Sequence, residues 1–158
     1  VLQRFLIVSS HYPSKYVVRV CADNPLTDPK EIDRLVRYIK AENHDYAYNN
    51  RSESGLPGGV GAEAITTSLL YHISQETNLP YYREHVVLYA YENKDRFSVG
   101  YPVPPPHLNR PDIDLDVDYP EDLSFLNDVC SLLPNESAPF WKIPDIINVI
   151  DNNPSFKQ

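Results

Sequence analysis

Apolar residues recur at two spacings along this chain, and the two spacings predict alternating helices and strands. Helical spacing is found at residues 1–11, 28–39, 66–76, 80–93, 120–133 and 143–150. In the first of these segments, the expected buried residues are Leu2, Phe5, Leu6 and Val8. Short runs rich in β-branched and aromatic residues predict strands at 16–21, 45–48, 62–65 and 97–99. This alternation predicts an α/β fold with a mainly parallel or mixed sheet. We expect a single domain over residues 1–158, in which residues 134–158 form a C-terminal helical extension.

An acidic segment follows the proline-rich stretch at residues 101–111. In Asp112-Ile113-Asp114-Leu115-Asp116-Val117-Asp118, four carboxylates alternate with apolar side chains, which predicts a strand with all four acids on one face. Same-face neighbours in a strand lie roughly 7 Å apart, so the row repels itself unless cations or water screen it. Two interpretations stay open: a divalent-metal site at Asp118, or an edge strand with a solvated acidic face.

Composition excludes several classes of function. The chain has 158 residues, a net charge of −8 and a pI near 5.0, which argues against passive binding to nucleic acid or to anionic lipid. No apolar run approaches the length of a membrane span, and no signal peptide is visible. Two cysteines form neither a metal motif nor a disulfide framework, so a cytoplasmic location fits best. Because the chain lacks Met and opens inside a helical pattern, we expect it to be the C-terminal part of a longer protein.

Two aspartates follow predicted strands, where open α/β sheets bind ligands. Asp23 lies at a turn that Pro25 forces, and Asp118 precedes the helix that starts at Pro120. Mg²⁺ takes one or two carboxylates and fills its shell with water and phosphate oxygens. Asp23 and Asp118 are therefore the predicted catalytic and metal residues, with Mg²⁺ as the cofactor. For Asp23 alone, capping of the turn is the alternative interpretation.

Charged residues elsewhere are candidates for substrate binding. Arg83, Glu84 and His85 are predicted near the start of a helix, where Arg83 and His85 can reach an anion. A surface ion pair beside a partly buried histidine is the alternative. Glu63 follows a glycine-rich loop, residues 55–61, which we interpret as a mobile substrate loop. Its carboxylate can accept hydrogen bonds from a sugar hydroxyl, or it is an exposed acid at the end of a loop.

Several motifs together resemble one known family. The stretch VVRVCADNPLTDP at residues 17–29 resembles the V-V-R-x-x-x-D-x-P-L-x-D-P pattern of cytidylyltransferase-like proteins of polysaccharide synthesis, the spore-coat type. Residues 83–86, 117–123 and 147–154 match the same family in the same order. The HVVLYAY run at 85–91 is similar to a run in the related ketodeoxyoctonate cytidylyltransferases, which are themselves relatives of the acylneuraminate enzymes.

This resemblance implies a Rossmann-like nucleotidyltransferase fold and transfer of CMP from CTP to a sugar or sugar acid, with release of pyrophosphate. It implies that Asp23 and Asp118 hold Mg²⁺, and that a homodimer is possible. It also implies that five residues surround the acceptor sugar: Arg19, Glu63, Arg83, Glu84 and His85.

The chain departs from the family in two ways. The glycine- and Arg/Lys-containing loop of the first βα unit, which grips the nucleotide, is absent, so we expect the chain by itself to be inactive. Tyr119 stands where the sugar-acid enzymes often have Thr, and it offers no short capping hydroxyl. Two alternatives to a cytidylyltransferase therefore stay open. One is a glycosyltransferase that uses an Asp-x-Asp metal motif from the row at 112–118, and the other is a non-catalytic binding or assembly partner.

Overall fold

The computed structural model describes residues 1–156. Over these residues the chain forms helices α1 to α7, which are Leu2–His11, Pro29–Ala41, Thr67–Glu76, Pro80–Glu84, Leu88–Glu92, Pro120–Ser131 and Ile143–Asn152. It also forms strands β1 to β4, which are Tyr16–Arg19, Tyr46–Tyr48, Glu63–Thr66 and Val99–Gly100. Within the described residues, no helix is both long enough and apolar enough to cross a membrane.

The chain divides into two compact units. The first unit holds residues 1–19, 33–48 and 63–102, and with them all four strands. The second unit holds residues 20–32, 49–62 and those from 103 onward, and with them α6 and α7. Each unit has its own apolar cluster, one centred on Tyr46, Tyr48 and Leu70, and one on Leu115, Val129 and Ile143.

The sheet of the first unit has the strand order β1-β3-β2-β4. β3 pairs antiparallel with both β1 and β2, and β2 pairs parallel with β4. The predicted α/β fold with a mixed sheet is confirmed, whereas the expectation of a mainly parallel sheet is wrong. β1 lies at an edge of this sheet and is only half-buried. It ends at Arg19, not at Cys21 as predicted, where its partner strand β3 begins at Glu63.

Helix α1 turns a different face to the core than we predicted. We expected Leu2, Phe5, Leu6 and Val8 to be buried, but Val8 is 56% exposed and Ser9 is buried. Positions 2, 5, 6 and 9 follow the i, i+3, i+4, i+7 spacing of a helical stripe, and position 8 lies off that stripe. Ser9 is therefore buried because it lies on the core-facing stripe of α1.

The single helix predicted over residues 80–93 is two short helices, α4 and α5. Val86 and Val87, which lie between them, are 2% and 4% exposed.

The acidic segment at 112–118 is extended, but it is not a strand of the sheet. Two hydrogen bonds attach it to Gly58, whose amide donates to the Ile113 carbonyl at 2.9 Å and whose carbonyl accepts from the Leu115 amide at 3.2 Å. Ile113 and Leu115 are buried, whereas Asp114 is exposed. The predicted alternation of buried and exposed residues is confirmed. The predicted strand is wrong, because the segment makes isolated hydrogen bonds with the loop at Gly58 and not the regular hydrogen-bond ladder of two paired strands.

Candidate active site

Asp23 and Asp118 lie at the same end of the second unit. The amide of Val117 donates to the carbonyl of Asp23 at 2.9 Å, so the turn that follows β1 is joined to the end of the acidic segment. Asp118 is the next residue along the chain, and both aspartates are exposed. The structure therefore brings together two segments that are distant in sequence and that each carry a predicted metal residue.

Asp116 lies within the electrostatic reach of both predicted metal residues. Burial of its carboxyl, a hydrogen bond with the Asp114 carboxyl, and repulsion from Asp114, Asp118 and Asp23 raise the pKa of Asp116 to about 6. Burial is the largest cause of this pKa shift, and the neighbouring carboxylates add to it. In the sequence, Asp116 was named only as part of an Asp-x-Asp alternative. Its alternation with Asp118 was the signal that could have assigned it to the same site.

Asp122 fixes the backbone at Asp118. Its Oδ2 accepts hydrogen bonds from the amide of Asp118 at 3.0 Å and from the amide of Tyr119 at 2.8 Å. From the sequence we expected only that Tyr119 lacks a short capping hydroxyl. Asp122, three residues after Tyr119, instead supplies the reciprocal half of a capping box at the start of α6.

The four carboxylates of the acidic segment are not equivalent. Arg110 holds Asp112 at 2.7 Å and reaches Asp151 at 2.8 Å, and its guanidinium keeps the pKa of the Asp112 carboxyl below its usual range. Asp112 is therefore already paired with a cation of the protein. The remaining acids Asp114, Asp116 and Asp118 line a cavity of about 140 Å³, together with Asp122 and Phe125.

The oxygen chemistry of this end of the unit fits a hard divalent cation. Carboxylates are the side chains that Mg²⁺ prefers. Burial raises the pKa of Asp116 most, and the repulsion from neighbouring carboxylates that adds to this shift is one that a cation would relieve. Among residues 1–156, no three His, Cys, Asp or Glu side chains are close enough to hold a metal between them. A two-carboxylate site completed by water and phosphate does not require a third protein ligand.

Glu63 and Arg19 form an ion pair in the first unit. The two residues are register partners of β3 and β1, and Arg19 donates to Glu63 Oε2 while the Tyr46 hydroxyl donates to Oε1 at 2.9 Å. Glu63 is only 2% exposed. The interpretation of Glu63 as an exposed acid at the end of a loop is therefore wrong.

Arg83, Glu84 and His85 lie at the end of a helix, not near its start as we predicted. α4 has five residues and His85 is its C-cap, so Glu84 does not lie at the positive end of a helix dipole. Arg83 contacts the side chain of Gln3 at 3.5 Å, and the His85 ring packs edge-on against Tyr81. Glu84 and His85 are exposed, and the role of all three residues in substrate binding stays a prediction.

The loop at residues 49–61 packs into the second unit and is not a free substrate loop. Asn49 is fully buried, and its side chain donates to the Glu31 carbonyl at 3.1 Å and accepts from the Ala62 amide at 2.8 Å. Gly59 has a φ of +76°, and a Cβ there would lie 2.5 Å from the carbonyl carbon of Leu115. Glycine at 59 thus permits close backbone contact with the acidic segment.

Comparisons with known proteins agree with this description. A solved structure of a cytidylyltransferase from Leptospira borgpetersenii superposes with a TM-score of 0.87 and 29% identity, over 99% of this chain and 64% of that one. This likeness gives the chain the α/β fold of a nucleotidyltransferase. A cytidylyltransferase family model matches residues 1–142, and the chain belongs to that family. The match does not support the prediction that the chain is only a C-terminal part.

Two further relatives match nearly the whole chain. An uncharacterized protein of Methanocaldococcus jannaschii is 34% identical over 99% of this chain. The spore coat polysaccharide biosynthesis protein SpsF of Bacillus subtilis is 27% identical over 98% of it. In both cases the match spans 62% of the relative's own length.

Proposed function

We propose that the protein is a nucleotidyltransferase that transfers CMP from CTP to a sugar or sugar acid and releases pyrophosphate. Membership of the cytidylyltransferase family supports CTP as the nucleotide, and the similarity to a spore-coat polysaccharide protein supports a sugar acceptor. The single observation that supports the proposal is the backbone hydrogen bond from Val117 to Asp23, which joins the segments of Asp23 and Asp118 next to the Asp116 carboxyl that both of them repel. A homodimer remains a prediction from the family resemblance.

In this proposal Asp23 and Asp118 hold Mg²⁺. When bound, the ion offsets the negative charge of the α-phosphate and of the leaving pyrophosphate. Hydrogen bonds within the chain hold the backbone that carries the two aspartates. Asp122 holds the Asp118 amide at 3.0 Å, and the Val117 amide holds the Asp23 carbonyl at 2.9 Å. Both carboxylates are thus mounted on backbone that is fixed before any ligand enters.

We propose that the sugar substrate is bound by Arg19, Glu63, Arg83 and His85, with Glu84 beside them. Glu63 is buried and accepts hydrogen bonds from both Arg19 and Tyr46, so its role in this proposal is to fix the position of Arg19. The Arg19 side chain is 29% exposed and ends in a guanidinium. A sugar acid or a sugar phosphate carries the charge that such a group recognises.

A product assay on the full-length protein tests the proposal. With CTP, Mg²⁺ and a panel of sugars and sugar acids, we expect release of pyrophosphate and formation of a CMP-sugar. Asp118→Asn is expected to abolish this release while the thermal unfolding midpoint stays within a few degrees of the wild type. Release of a nucleoside diphosphate from a nucleotide-sugar would indicate a glycosyltransferase instead.

A further inference from the structure

We propose that Ser98 is a nucleophilic serine, which His44 activates and which accepts an acyl group from neutral activated esters. The side-chain oxygen of Ser98 lies 2.7 Å from His44 Nδ1, and His44 Nε2 lies 3.2 Å from the Tyr38 hydroxyl oxygen. A hydroxyl that is bonded to an imidazole, with a third group orienting the imidazole, is the arrangement by which proteins activate serine. All three residues belong to the first unit, whereas the proposed metal residues belong to the second.

The backbone of Ser98 is fixed immediately before β4. Its amide donates to Asp45 Oδ2 at 3.0 Å, and its carbonyl accepts from the amides of Asp45 at 2.8 Å and Tyr46 at 3.2 Å. Ser98 is exposed, and its side chain is a single carbon with the hydroxyl. A small reagent can therefore approach this hydroxyl, while the backbone that carries it is held in one place relative to His44.

His44 lies in the turn between α2 and β2. Asn43, the residue before it, has a left-handed backbone with a φ of +52°, a conformation that asparagine adopts more readily than most residues. The His44 amide donates to the Ile39 carbonyl at 3.2 Å, and its ring packs at a tilt against the ring of Tyr38, with centroids 5.3 Å apart. These contacts hold the imidazole between Tyr38 and Ser98.

Gly100 allows the imidazole and the tyrosine to meet. A Cβ at Gly100 would overlap His44 Nε2 and would lie 2.7 Å from the Tyr38 hydroxyl oxygen. Gly100 pairs with Ala47 in the parallel ladder of β2 and β4, so its position is set by the sheet. The missing side chain at residue 100 therefore leaves room for the contact between Tyr38 and His44 over the strand that Ser98 precedes.

The hydrogen bonds assign a role to each nitrogen of the imidazole. In a neutral imidazole one nitrogen donates and the other accepts, so donation from Nε2 to Tyr38 leaves Nδ1 as the base for Ser98. The Ser98 oxygen bonds to the carbonyl carbon of the ester, and the bond from that carbon to the leaving oxygen breaks. The hydroxyl proton passes to His44 Nδ1 and then to the leaving oxygen. The products are acylated Ser98 and a free alcohol or phenol.

The charges around Ser98 define the class of acyl donor. The Asp45 carboxylate is bonded to the Ser98 amide, and the Glu42 carboxylate adds to the effect of burial in raising the pKa of Tyr38. Two carboxylates near the reacting groups disfavour an anionic donor such as an acyl phosphate. An aryl ester has no charge and a good leaving group, so it is the donor that we expect the site to accept.

The test is acetylation of the full-length protein by p-nitrophenyl acetate, followed by mass spectrometry of its peptides. Ser131 is the internal reference, because it is exposed and its hydroxyl donates to a backbone carbonyl, that of Asp128, at 2.7 Å. We expect Ser98 to be acetylated at least about tenfold faster than Ser131 in the same sample, since a positioned general base accelerates only the first. Equal rates at the two serines would overturn the proposal.

Variants separate the base from the residue that positions it. His44→Gln should lower the rate at Ser98 at least about tenfold, and Tyr38→Phe should lower it about threefold, while the rate at Ser131 stays unchanged. His107→Gln, the same change at an exposed histidine of the second unit, should leave both rates unchanged. A wild-type rate at Ser98 in His44→Gln would overturn the proposal. If that variant does not fold, the ratio of the two rates in the wild-type protein decides alone.

Discussion

The amide of Val117 donates a hydrogen bond of 2.9 Å to the carbonyl of Asp23, and this bond joins the turn after β1 to the acidic segment. The adjacent Asp118 is positioned by a second bond, from its own amide to Asp122. One backbone bond and one bond to a side chain therefore hold the segments of Asp23 and Asp118 at one end of the second unit. This placement is the physical basis of the proposed metal site.

Replacing Asp118 is expected to remove turnover without loss of the fold. In the full-length protein, Asp118→Asn should lower kcat for pyrophosphate release at least about 100-fold, since a bound metal supplies several kcal/mol of charge stabilisation. Asp128→Asn, on an exposed position of α6, is the matched control and should retain wild-type turnover. Turnover of Asp118→Asn within about threefold of the wild type would contradict the metal role.

Asp122 is expected to contribute to stability through the start of α6. Asp122→Ala removes the acceptor of the Asp118 and Tyr119 amides, and loss of such a cap costs about 1 kcal/mol in the free energy of unfolding. Glu121→Ala, in the same first turn and exposed, should cost only a few tenths of a kcal/mol. Urea unfolding of both variants distinguishes the cap from a general charge effect, and equal losses would refute it.

The buried ion pair of the first unit is expected to be far more costly to break than the exposed one of the second. Glu63→Ala leaves Arg19 and the Tyr46 hydroxyl without their shared acceptor, and we expect a loss of about 3 kcal/mol. Asp112→Ala, which breaks the solvent-exposed pair with Arg110, should cost less than about 1 kcal/mol. The free energies of unfolding of the two variants provide the comparison, and similar values would show that Glu63 is not a buried partner.

The acidic segment has a buried face and an exposed face, and the cost of truncating its apolar side chains should follow their burial. Leu115 is fully buried, so Leu115→Ala should cost about 3 kcal/mol through lost burial and an internal cavity. Val117 is only half-buried, and Val117→Ala should cost about 1 kcal/mol. Chemical unfolding measures both, and a larger loss at Val117 would mean that the faces are assigned wrongly.

Local patterns predicted much of the fold because each depends on neighbours in sequence. The helical spacing at residues 28–39 correctly predicted α2, whose Leu35 and Ile39 are buried, and Asp28 Oδ1 accepts from the Lys30 amide at the start of this helix at 2.8 Å. The Asp28 amide donates to the Val60 carbonyl at 3.0 Å, a contact with a loop that no local pattern predicts.

Features that depend on distant residues were not predictable in the same way. Alternation at 112–118 correctly gave the buried and exposed faces, but a strand also needs a partner strand, and the partner here is the loop at Gly58. Glu63 looked exposed because its partners Arg19 and Tyr46 come from two neighbouring strands.

The most direct test of the account is a double-mutant cycle on Mg²⁺ binding, with Asp23→Asn, Asp118→Asn and the double variant of the full-length protein titrated by calorimetry in the presence of CTP. If the two carboxylates share one ion, each single variant should lose at least tenfold in Mg²⁺ affinity, and the double variant should lose little more than either one. Wild-type affinity in Asp23→Asn, or fully additive losses in the double variant, would contradict the shared site.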